Sequence, residues 1–206
     1  IVQGWYLGSM GGKSLADILS GAVNPSGKLP FSFPAKLTDC GAHAFDELSY
    51  PGDSIKQEYK EDILVGYRWH DTKKIPALFP FGHGLSYTTF TYGKPMASAK
   101  AMAADGMLTV TVAVKNTGSI AGKEIVQLYV GDDKCSVLRP VKELKHFAKV
   151  ALAPGEEKSV TFTLTPDDLK FYDEASAAWK YEPGKFKAYV CASSADVRGV
   201  VSFEMQ

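Results

Sequence analysis

The chain has 206 residues, 45% hydrophobic and 22% charged, and its 23 Lys+Arg balance 23 Asp+Glu. This is the composition of a folded globular protein and excludes intrinsic disorder. A formal net charge of zero leaves no global field to gather nucleic acid or anionic lipid. The longest apolar runs fall well short of the ~20 residues that cross a bilayer, so neither a nucleic-acid nor a membrane partner is expected.

The sequence opens at Ile1 in the middle of an apolar pattern, which predicts the C-terminal piece of a larger protein. From Gly11 to Ser20, Leu15, Ile18 and Leu19 recur at helical spacing, and Gly21 stands where such a helix stops. Asn24-Pro25-Ser26-Gly27 is a turn. Lys28 to Phe33 reads as a short strand, and Pro30 and Pro34 confine it to a sheet edge. Helix, turn and edge strand look like the last unit of an α/β layer. Residues 35 to 78 show little periodicity; the aromatics Tyr50, Tyr59, Tyr67, Trp69 and Phe79 predict a long linker clamped to a neighbour. Glycines and prolines crowd the aromatics of Phe79-Pro80-Phe81-Gly82-His83-Gly84-Leu85-Ser86-Tyr87-Thr88. That run describes backbone pressed against an apolar surface, with the His83 backbone rather than its imidazole as the important part.

From Ser86 the pattern turns to strands. Leu108 to Val114 and Val160 to Leu164 alternate with period two, and Glu124 to Gly131, Lys142 to Leu152, Gly184 to Ala192 and Val200 to Phe203 are further candidates. Turns at Asn116-Thr117-Gly118, Gly131-Asp132-Asp133, Ala153-Pro154-Gly155 and Glu182-Pro183-Gly184 separate them. About seven short strands in roughly 120 residues predict an immunoglobulin-like β-sandwich. Thr165 caps a single helical turn at Pro166 to Leu169. The late aromatics, among them Phe171, Tyr172, Trp179 and Phe203, mostly fit alternation into a core.

Cys40, Cys135 and Cys191 are too few and too widely spaced for a metal site or a disulfide framework, and Cys191 reads as a buried free thiol. His43, His70, His83 and His146 show no ligand spacing. The acidic pairs Asp132-Asp133 and Asp167-Asp168 admit calcium, but turn chemistry explains them more simply. No metal and no cofactor is expected, and no serine stands in a nucleophile elbow.

Three ordered blocks carry a resemblance. They are Trp5-Tyr6-Leu7-Gly8-Ser9-Met10-Gly11-Gly12 through Asn24-Pro25-Ser26-Gly27-Lys28-Leu29-Pro30; Val65-Gly66-Tyr67-Arg68-Trp69-His70-Asp71 with Phe79 to Thr88; and Arg139-Pro140-Val141-Lys142-Glu143-Leu144 with Leu152 to Glu156. Together they resemble the C-terminal portion of glycoside hydrolase family 3, the β-glucosidase family, over essentially the whole chain. The resemblance implies a mainly β protein, a fibronectin type III-like (immunoglobulin-like) β-sandwich preceded by the tail of an α/β sandwich domain and a clamping linker. The divisions expected are 1–36 for the tail, 37–85 for the linker and 86–206 for the sandwich.

The resemblance also implies a retaining mechanism with an Asp nucleophile on a barrel domain and a Glu acid/base on the α/β domain, both upstream of Ile1. Retention needs two carboxyl groups about 5 to 5.5 Å apart. No catalytic residue is therefore expected here, and the chain alone is expected to be inactive. Its implied partners are the upstream barrel and α/β domains and, in the parent enzyme, a β-linked oligosaccharide or glycoside. A periplasmic or extracellular parent is favoured over a cytoplasmic one.

Substrate-adjacent candidates are Trp5, Tyr6, Met10, Tyr67, Arg68 and Asp71. Trp5 and Tyr6 either stack on a pyranose or, the favoured reading, pack in a core. Family members commonly carry Glu at the position of Met10, and a thioether cannot do a carboxylate's work. Tyr67, Arg68 and Asp71 belong to the interdomain junction, with Asp71 the candidate bidentate partner of Arg68. A stand-alone carbohydrate- or protein-binding module is the alternative function, and apolar faces near Leu15 to Leu19 and Leu29 favour self-association.

Overall fold

The computed structural model describes residues 1–206. Its first element is helix α1 (Gly11–Leu19), where Lys13 and Asp17 pair at 2.7 Å one turn apart and Gly21, at φ +80°, closes the end. The expected strand over Lys28 to Phe33 shrinks to β1 (Phe33–Pro34), paired with β2 (Ala77–Phe79). Proline lacks the N–H a ladder needs, so Pro30 and Pro34 leave little to pair. Between these strands lies helix α2 (Tyr67–Lys73), inside the stretch that reads as aperiodic linker.

The remainder is a two-sheet sandwich. One sheet is built on β6 (Leu108–Asn116), flanked on one edge by β9 (Glu157–Leu164) and on the other by β3 (Phe90–Tyr92) and β4 (Met96–Ala97) end to end. The second runs β5 (Ala101–Met102), β13 (Asp196–Met205), β12 (Gly184–Ser193), β7 (Gly122–Asp132), β8 (Glu143–Leu152). A short hairpin, β10 (Phe171–Asp173) with β11 (Ala178–Lys180), stands apart. Thr165 and Asp168 form the expected capping box on the turn Pro166–Leu169.

Period two does the sorting. Leu108, Val110, Val112 and Val114 of β6 face Val126, Leu128 and Val130 of β7 and Phe186, Ala188 and Val190 of β12 in a core of 18 buried residues. The polar exception at the end of β6, Asn116, is fully satisfied. Its Oδ1 accepts from Thr88 Oγ1 at 2.6 Å and Gly118 N at 3.1 Å, and its Nδ2 donates to Ile120 O and Leu152 O. Two late aromatics depart from the expected burial: Tyr172 and Trp179 face each other across the β10–β11 hairpin and stand exposed. No second layer covers that hairpin's outer face.

Strand β7 is buried on both sides from Val126 to Gly131, which a strand at a solvent-washed face would not be. Its second face is covered by α2 and by Phe81-Gly82. Tyr67, Tyr129 and Cys191 form a second buried cluster there, with Phe81, Leu144 and Tyr189 against it. Cys191 is the buried free thiol expected, and burial pushes it up to about 12.

Candidate functional site

The junction is assembled from two of the sequence blocks. Helix α2 lies antiparallel to Val141 to Leu144, the approach to β8 and its first two residues, and four contacts follow one another in register. Val141 N donates to Thr72 Oγ1 at 3.1 Å, Lys142 Nζ donates to Asp71 Oδ2, Arg68 Nε lies 3.6 Å from Glu143 Oε1, and Leu144 N donates to the Tyr67 hydroxyl at 2.9 Å. Residues 67, 68, 71 and 72 share one face of a helix because 3 and 4 are near-multiples of its turn. Arg68 therefore pairs with Glu143 and Asp71 with Lys142; the expected Arg68–Asp71 pair does not form, since each side chain finds an opposite charge on the facing stretch.

Charges continue behind this face. Arg139 donates from Nη2 to Glu143 Oε2 at 3.1 Å and from Nη1 to Leu169 O at 3.1 Å, lies 3.6 Å from Asp132 Oδ2, and covers the Phe171 ring. Its side chain is 7% exposed and that of Asp132 2%. Burial pushes the Glu143 carboxyl up, but Lys145, Arg139 and Arg68 outweigh it and hold it below the ordinary range. Asp71 goes the other way, because burial outweighs Lys142.

A depressed folded value means that the Glu143 contribution is complete above its unfolded value and is lost as pH falls through the folded one. Asp71, being raised, contributes the opposite sign over the same region. Glu143→Gln is therefore expected to show a shallower decline in melting temperature than the parent chain between about pH 5 and pH 3. Parallel declines in the two proteins would remove the charge network from this account.

The Gly-rich run forms the second contact strip. Gly82, at φ +78°, lies so close to Gln127 that an added Cβ would sit 2.3 Å from Gln127 Oε1. Gln127 Nε2 donates to Gly82 O at 3.2 Å and Ala192 O at 2.8 Å, and its Oε1 accepts from the Tyr129 hydroxyl at 2.7 Å. Backbone bonds tie the strip to the turn upstream: Leu29 N donates to His83 O and Gly82 N to Leu29 O, both at 2.8 Å. Here His83 acts through its backbone. Asn24 spans the joint, its Oδ1 accepting from Ser86 Oγ and Tyr87 N and its Nδ2 donating to Ala121 O. Lys28 and Glu124 pair at 3.0 Å with side chains only 13% and 9% exposed.

The six candidates do not converge. Tyr67, Arg68 and Asp71 form the junction just described. Trp5, half exposed, meets Phe31 edge-on at 5.2 Å, while Tyr6 and Met10 stand exposed. Core packing within this chain therefore fails for Tyr6. Of the six, Asp71 lines a cavity of about 440 Å³ beside His70 and Ile75. The acidic pairs serve turns and ion pairs: Asp132 Oδ1 accepts from Lys134 N, Asp133 pairs with Lys187, and Asp167 with Lys170. Arg139 and Gln127 were the residues that sequence reasoning missed. The only signal for Arg139 was its place in a recognised block, and Gln127 showed none beyond a polar residue in an apolar run.

A profile described as Glycosyl hydrolase family 3 C-terminal domain matches residues 1–87, and one described as Fibronectin type III-like domain matches residues 124–194. The chain belongs to glycoside hydrolase family 3. It corresponds to the C-terminal portion of that family's members. A β-glucosidase of Bacteroides ovatus is 68% identical over 204 residues, covering 99% of this chain and 27% of its own length. A β-glucosidase of Rhizobium radiobacter is 46% identical, covering 100% of the chain and 25% of its own. The crystal structure of a Streptomyces venezuelae β-glucosidase in complex with D-glucose superposes with a TM-score of 0.89 at 42% identity, covering 98% of this chain and 26% of that one. The chain thus spans about a quarter of the length of the curated relatives it matches, and its mainly β, fibronectin type III-like architecture is the family's.

Proposed function

We propose that this family 3 chain is the non-catalytic C-terminal segment of a β-glucosidase-like retaining exo-hydrolase acting on β-linked glycosides, and that its work is to brace catalytic domains lying upstream. In this reading residues 1–36 complete an α/β domain, 37–85 are the linker and 86–206 the sandwich. The observation that carries it is the register of α2 against Val141 to Leu144, which ties the linker to the sandwich by alternating hydrogen bonds and ion pairs. The exposed Tyr6, Met10 and Leu19 near α1 supply an apolar surface for the preceding layer.

The largely polar second cavity holds two carboxylates, Glu124 and Asp196, yet each is engaged by a cation, Lys28 at 3.0 Å and Arg198 at 2.7 Å. That is the arrangement of structural ion pairs, whereas a retaining couple needs one neutral acid and one free nucleophile. The purified chain is expected to leave a nitrophenyl β-glucoside intact. Turnover is expected only on mixing it with the Bacteroides ovatus relative truncated before the matching region. Hydrolysis by the chain alone, or a mixture that stays inert beside an active intact relative, would overturn the reading.

A binding-module role is favoured by one observation, the exposed cross-strand pair of Tyr172 and Trp179, 5.7 Å between ring centroids. Aromatic faces suit pyranose rings, although the two rings meet edge to face at 70° and do not present one flat platform.

A further inference from the structure

The cleft between the Asn24 turn and the sandwich has a volume of about 440 Å³, room for a hexose, and its lining mixes polar side chains with apolar surface. Four of its five permanent charges are paired, and the exposed Lys123 is left over. Lys28 holds Glu124, and Arg198 holds Asp196. The carboxylates disfavour an anionic ligand and the paired cations disfavour a metal ion, because a bare charge of either sign meets an opposing partner already bound.

Unused hydrogen-bonding capacity remains. Arg198 commits one of its five N–H donors to Asp196, Lys123 has no ion-pair partner, and the Ser26 hydroxyl and Asp196 Oδ1 make no hydrogen bond within the chain. Beside the cleft, the Arg198 guanidinium lies 5.3 Å over the Tyr92 ring, and the buried Tyr92 hydroxyl has no partner. Donors and acceptors side by side, with both carboxylates already paired and Lys123 free to donate at the rim, suit vicinal hydroxyls, each of which gives and takes a hydrogen bond. Leu85, Phe90 and Ala192 supply the apolar remainder that C–H faces need.

We infer that this cleft is a binding site for a neutral, hexose-sized polyhydroxylated molecule, an inference independent of the function proposed above. The site is built where the turn, the Gly-rich strip and the sandwich meet, so an occupant bridges all three.

The test is amide chemical-shift mapping of the 206-residue chain titrated with D-glucose and, separately, sodium phosphate. Saturable shifts confined to the surroundings of Ser26, Lys123 and Ser193 are expected with D-glucose, in the millimolar range, and none with phosphate. Arg198→Ala and Lys123→Met are each expected to weaken glucose binding about five- to tenfold, the loss of one or two hydrogen bonds. The exposed Lys123 variant keeps the fold if Arg198→Ala does not. The inference is overturned if no saturation occurs up to about 100 mM, if phosphate moves the same amides, if Lys123→Met binds as the parent does, or if the shifts cluster on Tyr172 and Trp179 instead.

Discussion

Gly82→Ala is expected to cost about 3 to 5 kcal/mol of stability, a loss far above that of an average substitution. Two terms add. The left-handed backbone at φ +78° costs a residue with a Cβ about 1 to 2 kcal/mol. The new Cβ, 2.3 Å from Gln127 Oε1, displaces an amide that serves Gly82 O, Ala192 O and the Tyr129 hydroxyl. Each buried group left unpaired costs about 1 to 3 kcal/mol. Urea unfolding should show a lower midpoint with an unchanged slope. The control is Gln127→Ala: in that background the Gly82→Ala penalty should shrink to the backbone term, about 1 to 2 kcal/mol. Equal penalties in both backgrounds would mean that the close approach is not what makes glycine necessary here.

Arg139→Met is expected to cost about 3 to 5 kcal/mol, because it removes one partner from a buried charge network. Methionine keeps much of the apolar volume over Phe171, so what is lost is charge and hydrogen bonding. Asp132, 2% exposed, then has no cation within reach, and the Leu169 carbonyl loses its donor. The comparison is Lys13→Met on α1, whose exposed pair with Asp17 is worth about 0 to 1 kcal/mol. Thermal melts of the two variants should separate clearly. A shift for Arg139→Met no larger than for Lys13→Met would make the network decorative.

Features set by local chemistry were legible from the residues alone. The α1 helix and its Gly21 stop, the alternation of β6 and β9, the Thr165 turn and the buried Cys191 each depend on a spacing that a short stretch contains. Helix α2 was hidden because it is short and touched on two sides. Tyr67 faces the sheet, while Trp69 turns away to donate to Asp39 O at 3.1 Å, so no single apolar stripe emerges. The Arg68 pairing failed for a related reason: a partner three residues along the chain was visible, and one on a distant strand was not. Tyr172 and Trp179 alternate like core residues, but no second layer covers their hairpin. Of the candidate site, Tyr67, Arg68 and Asp71 were legible as a group through their shared block, and the residues they contact were not.

The rungs between α2 and Val141 to Leu144 also define a unit for engineering. Three of the four rungs join a residue of one recognised block to a residue of the other, and two of the four are pairs of opposite charge whose order matters. A hybrid that borrows its sandwich from one relative and its helix from another inherits half a zip fastener. Transplanting both strips together preserves the seam, wherever else the crossover points fall.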